Sequence, residues 1–155
     1  MRLRLITQRV LLLLGILLMV AILITLVAFG VNRPLRYELS PGLRGWVVIQ
    51  YEDPDCQLLE TKGIYLVIPI PASAHVCTSN SLPMGWRYTR YEYLNPDGTW
   101  TQIPSSTWIK DRQIWAGISI PAGPGVRFPR SAFFVGTQTE LEKSWATRPT
   151  LRDPP

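Results

Sequence analysis

The chain has 155 residues with 16 Lys and Arg against 11 Asp and Glu, a formal net charge of +5. Three of those cations, Arg2, Arg4 and Arg9, precede a long apolar run, so the remainder carries 13 against 11, a net of +2. That excess gives no electrostatic footprint for nucleic acid, and 124 residues beyond the run are too few for two ordinary domains.

The apolar run covers residues 10–31 and contains no charge, with Thr25 as its one hydroxyl. As a helix rising about 1.5 Å per residue it is about 33 Å long, enough to cross a bilayer core of about 30 Å. A cleavable signal peptide is the competing reading, since the basic residues form an n-region and Ala28-Phe29-Gly30 offers small residues for a peptidase. The run exceeds the usual length of a signal h-region, which favours an uncleaved anchor. No Cys lies near its end, which disfavours lipidation there. The expected organisation is a basic cytoplasmic tail at 1–9, a transmembrane helix at 10–31, an extracytoplasmic β-rich domain at 32–146 and a flexible tail at 147–155. That organisation predicts a single-pass protein of the cytoplasmic membrane with its C-terminal domain outside. Arg33, Arg36 and Arg44 nearly balance the N-terminal cations, so the charge rule orients the helix only weakly. Ala21 and Thr25 form one pair of small residues four apart, a weak signal for a homodimer.

All 14 Pro, six Trp and six Tyr lie beyond the run, with nine of 11 Gly, the composition of a turn-rich β domain. Strands are predicted at 46–51 and 64–68, where β-branched and aromatic residues are bounded by Gly45, Pro54, Gly63 and Pro69. A hairpin is predicted from 86–94 and 99–103 around Asn95-Pro96-Asp97-Gly98, which carries Pro and Gly where a tight turn uses them. Within it Trp86 and Tyr88 share one face and Tyr91 and Tyr93 the other, so a β-bulge near Thr89 and Arg90 is expected. Further strands are predicted at 113–120 and 132–135. After Gly136, Thr137 with Glu140 and Thr139 with Glu142 each give a helix-start signature, so a short helix is expected over 137–145 with Leu141 and Trp145 on the sheet. The fold class is therefore mainly β: a transmembrane helix, then a small antiparallel β-sandwich-like domain with one short C-terminal helix. Gly45-Trp46 and Gly85-Trp86 echo one another, as do the segments 68–72 and 118–122, but unequal intervals favour reused punctuation over a repeat.

The combination Gly45-Trp46-Val47, Ile49, Tyr51, Tyr65-Leu66, Ile68-Pro69, Thr78-Ser79 and Phe133-Phe134-Val135-Gly136-Thr137 before Glu140 resembles an uncharacterised family of small exported or membrane-anchored bacterial β-rich domains. The resemblance spans most of residues 37–145 and rests on strand and turn residues, so it implies a fold and a compartment and no activity.

Cys56 and Cys77 are the only cysteines, and outside the cytoplasm they are expected to form a disulfide stapling the first two strands, worth about 3 kcal/mol by loop closure. His75 is the only histidine, and with two Cys it falls short of a zinc site. No Gly-x-Ser-x-Gly elbow accompanies it, so a packing or surface role is expected. Glu52, Asp53 and Asp55 surround Pro54 in what reads as a solvated turn, and a hydrolase using Glu52 or Glu92 has weak support. No catalytic residue, metal ligand or cofactor is expected.

The remaining candidates are aromatic. Trp86, Tyr88, Arg90, Tyr91, Tyr93, Trp100 and Trp108 crowd the hairpin and its exit, a mixture suited to a protein-binding or glycan-binding surface, although packing between sheets also uses such rings. The expected function is a non-enzymatic accessory or interaction module whose partners are the lipid bilayer and another membrane or envelope protein. A cell-envelope glycan binder is the alternative.

Overall fold

The computed structural model describes residues 2–105, 108 and 110–151, and for 2–8, 10, 26–31 and 116 it describes the backbone alone. The chain divides into two compact units, Met1–Arg33 and Pro34–Pro155.

The first unit is one helix, α1 (Arg2–Val31). It begins ahead of the expected span and takes in the basic tail, because nothing in residues 2–9 breaks a helix and Pro34 is the first strong stop. The side chains from Leu11 to Ile24 that are large and apolar are uncovered, from 47% exposed at Val20 to 71% at Met19. Among the described residues no helix is long and apolar enough to cross a membrane. The contiguous described stretch, 11–25, is about 22 Å long at the helical rise. The rest of the expected span, residues 10 and 26–31, lies outside the described side chains.

Among the described residues the second unit is built on nine strands in two sheets. In chain order they are β1 (Leu35–Leu39), β2 (Gly45–Gln50), β3 (Thr61–Lys62), β4 (Tyr65–Ile70), β5 (His75–Cys77), β6 (Thr89–Leu94), β7 (Trp100–Gln102), β8 (Ile114–Ile120) and β9 (Arg130–Val135). One sheet has the order β3-β4-β1-β6-β7 and the other β5-β2-β9-β8. Neither is purely antiparallel, contrary to the sequence expectation: β1 runs parallel to β4 and to β6, and β2 runs parallel to β5. Two strands absent from the sequence expectation make these parallel pairs: β1, at the centre of the first sheet, and β5, at the edge of the second.

Alternation places Leu35, Tyr37 and Leu39 inward, each buried, with Arg36 and Glu38 outward. Val47 and Ile49 of β2, Ile68 and Ile70 of β4, and Phe133 and Val135 of β9 meet them in one core. Val47 and Ile49 are wholly buried, each stabilising by about 1.5–3 kcal/mol. Tyr37 stacks on Tyr91 at 4.6 Å between ring centroids, and Phe133 meets both rings edge-on at 5.3 Å.

The predicted hairpin is β6 and β7, closed by Gly98 at φ 81° with its N–H donating to Asn95 O. Its first strand starts at Thr89, so Trp86 and Tyr88 precede the sheet and no bulge is needed at Thr89. The register shift falls in β8, between Trp115 and Ile118. Gly45 and Gly85 both adopt positive φ, at 105° and 79°, which accounts for the Gly-Trp echo as shared turn punctuation.

The Cys56–Cys77 disulfide is present. The strands it was expected to staple, β2 and β4, lie in different sheets, and the bridge instead ties the loop after β2 to the end of β5. The second helix, α2 (Gln138–Ser144), starts at the first Thr signature: Thr137 Oγ1 accepts from Glu140 N–H, and Glu140 Oε2 accepts from Thr137 N–H at 2.6 Å. Trp145 meets Trp46 of β2 at 6.2 Å, and Trp46 Nε1 donates to Ser144 O, so the helix end covers the outer side of the second sheet. The tail expected to be loose is held as far as Leu151, which is buried and whose carbonyl accepts from Arg130 Nη1 at 3.2 Å. Residues 152–155 lie outside the described residues.

Candidate inter-sheet binding cleft

At one end of the domain the two sheets part, leaving a cavity of about 510 Å³ open to solvent. That size suits a small organic ligand. Its walls are the inward side chains of Leu35 and Tyr37 on β1, Tyr91 on β6 and Phe133 on β9, with Ile114 and Trp115 at the start of β8. Trp86 and Arg87 come from the segment before β6, and Arg112 from the turn before β8.

The polar groups converge on three tyrosines. Tyr37 hydrogen-bonds to Tyr51, and Ser131 Oγ donates to the Tyr51 hydroxyl at 3.3 Å. Burial raises all three phenols, Tyr37 the most clearly, because a phenolate there would lose its hydration. The Arg87 guanidinium opposes that rise at Tyr37 and Tyr51, so its charge is felt at both hydroxyls. A raised native pKa stabilises the fold fully below the ordinary tyrosine value near 10, and the contribution is lost as pH climbs toward the native value. Titration followed by phenolate absorbance should therefore leave these three rings protonated near pH 10, ionising only as the domain unfolds in stronger alkali. Ionisation of Tyr37, Tyr51 and Tyr91 near pH 10 in the folded domain would contradict the burial.

Arg87 donates from Nη2 to Met84 O at 2.8 Å, while its Nε is buried without a hydrogen-bond partner. Arg112 lies over the Trp115 ring with its guanidinium carbon 3.9 Å from the centroid. Among the described residues no Asp or Glu lines the cavity. Among the described residues neither arginine makes an ion pair.

The seven residues singled out from sequence do not form one surface. Trp86, 88% exposed, lines the cleft, and Tyr88 lies two residues on, tilted against Tyr65. Tyr91 faces inward to the core, and Tyr93 donates its hydroxyl to Leu43 O at 2.8 Å, so both belong to the packing. Arg90 and Trp100 are on the opposite, outer side of that sheet. There Arg90 and Arg36 flank the buried carboxylate of Glu92, Arg36 also pairs with Glu38, and Arg36 lies over Trp100. Trp108 is 94% exposed in the loop before β8, and its neighbours 106, 107 and 109 lie outside the described residues.

The other candidates are structural where they can be placed. Glu52, at φ 58°, accepts from Leu82 N–H, and Asp53 accepts from Gln50 Nε2 at 2.7 Å. Glu52 follows β2, and Glu92 lies on β6 with its carboxylate held by Arg36 and Arg90. His75 is exposed on the edge strand β5. Among the described residues no three His, Cys, Asp or Glu cluster as metal ligands. The sequence expectation did not include Tyr37, Tyr51 or Arg112 as site residues. The local signal was an arginine beside tryptophan, at Trp86-Arg87 and three residues before Trp115.

Residues 37–143 match a family model described as a family of unknown function, DUF6843. No curated protein matches the chain. Among solved structures, one described as a "putative lipoprotein from Bacillus anthracis" aligns over 80% of this chain and 86% of its own, with TM-score 0.55 and 19% identity. At that identity the likeness is one of fold.

Proposed function

The chain belongs to DUF6843, a family of unknown function, and on that premise we propose that it is a non-enzymatic accessory module of the cell envelope, anchored by its N-terminal helix. The C-terminal domain faces outside the cytoplasm in this reading. The observation that carries it is the Cys56–Cys77 disulfide, a bond that persists in oxidising compartments and is rare in the cytosol. The uncovered apolar side chains of α1 support the anchor, and the whole run 10–31 has the length a bilayer core requires. The fold shared with a protein described as a lipoprotein is consistent with a domain tethered beside a membrane. Glu52 and Glu92 are engaged on separate sheets, which favours binding over hydrolysis. The partner is another membrane or envelope protein, and a second copy of the chain is one such partner.

The test is alkaline carbonate washing of membranes, followed by intact mass of the extracted protein with thiol alkylation before reduction. Retention at full length with both cysteines protected is the expected result. Release into the wash, or two alkylated cysteines, would overturn the reading. Exposed Trp86 and Trp108 favour a second reading, a glycan-binding surface, in which Trp86→Ala and Trp108→Ala abolish binding of peptidoglycan fragments.

A further inference from the structure

We infer that the inter-sheet cleft is a binding site for a small organic oxyanion, a carboxylate or phosphate head on an apolar or aromatic body. This goes beyond the accessory role and does not depend on the membrane anchor.

The argument begins with uncompensated charge. Among the described residues two guanidiniums and no carboxylate line the cavity, Arg87 held by the Met84 carbonyl and Arg112 by the Trp115 ring, and neither is in an ion pair. Two like charges lining one cavity attract an entering anion. Guanidinium presents paired donors in the geometry that carboxylate and phosphate oxygens accept.

The wall also carries the phenols of Tyr37, Tyr51 and Tyr91, with Ser131 Oγ donating to the Tyr51 hydroxyl. All three phenols stay protonated at neutral pH, so they present no anion to repel the ligand. The rest of the wall fixes the body: Leu35, Ile114, Trp115 and Phe133 are apolar or aromatic, and Trp86 stands exposed beside them. A cavity of about 510 Å³ admits a head group and one ring or a short chain. A bare inorganic anion would leave that apolar wall unmatched.

The experiment follows the tryptophan indole N–H resonances of the full-length chain in lipid nanodiscs during titration with 3-phenylpropionate, phenyl phosphate and neutral 3-phenylpropan-1-ol. The site predicts saturable shifts of the Trp115 and Trp86 signals with an anion, at least tenfold tighter than with the alcohol, and weakening as salt rises. Whichever anion binds tighter identifies the head group. Arg87→Gln and Arg112→Gln should each weaken that binding about tenfold or more, while Arg44→Gln, remote from the cleft lining, should leave it unchanged. Salt dependence in the unmodified protein provides a readout if either arginine variant fails to fold. Equal binding of alcohol and anions, an unchanged affinity in both arginine variants, or no shift with any of the three compounds would overturn the site.

Discussion

Phe133→Ala is expected to lower the stability of the C-terminal domain by about 3–5 kcal/mol, the range for deleting a buried aromatic side chain. Phe133 is 5% exposed and bridges Tyr37 and Tyr91 edge-on, so its loss removes a ring contact to each as well as its own burial. The lower half of the range is the better expectation because Phe133 also borders the cleft. Space already open to water needs no new dry cavity, and part of the void is solvated from the start. The measurement is urea unfolding followed by tryptophan emission: the midpoint should fall while its steepness is retained. A change below about 1 kcal/mol would mean that the tyrosine stack stands without its edge contact.

Replacing Cys56 and Cys77 together by Ala is expected to cost about 3 kcal/mol, as loop-closure entropy gives for a separation of 21 residues. In a domain of this size that corresponds to a fall in Tm of about 10 °C. The loss should be local first. β5 has three residues and pairs only with β2, across Val48 to Gln50. The loop it is bridged to keeps a second hold in buried Thr78, whose Oγ1 donates to Gln57 O at 2.9 Å and whose neighbour Asn80 accepts from Leu59 N–H. Hydrogen exchange should therefore quicken at residues 55–60 and 75–77 while β1 and β9 keep their protection. Uniform acceleration over both sheets would show that the bridge stabilises the whole domain instead.

The sequence carried the parts of the fold whose signals are local. Val47-Val48-Ile49 has no other comfortable setting than a strand, Asn95-Pro96-Asp97-Gly98 turns where Pro and Gly require it, and Thr137 with Glu140 caps α2 as written. β1 shows clear alternation in Leu35-Arg36-Tyr37-Glu38-Leu39, yet its partners begin at Leu66 and Thr89, and no turn signal points across such intervals. Its parallel pairing was unreadable for the same reason, and with it the placement of β2 and β4 in separate sheets. The aromatic residues divided by pleat: the alternation that put Tyr91 and Tyr93 on one face was correct, but nothing in the hairpin says which face is covered. The cleft is harder still, because Tyr37, Tyr51, Arg87, Arg112 and Phe133 come from five separate segments. Only the meeting of the sheets makes them neighbours.

The central place of β1 also has a mechanical meaning. The strand begins at Leu35, four residues after α1 ends at Val31, so any tension carried along the chain from the helix enters the domain through it. A pull along β1 loads its ladders to β4 and β6 in shear, all five registered positions on each side resisting together, whereas a terminal hairpin would peel open one bond at a time. Resistance to such a pull is governed by the rate of forced unfolding, not by equilibrium stability. Force entering the domain from its N-terminal side thus meets a strand paired along its whole length on both sides.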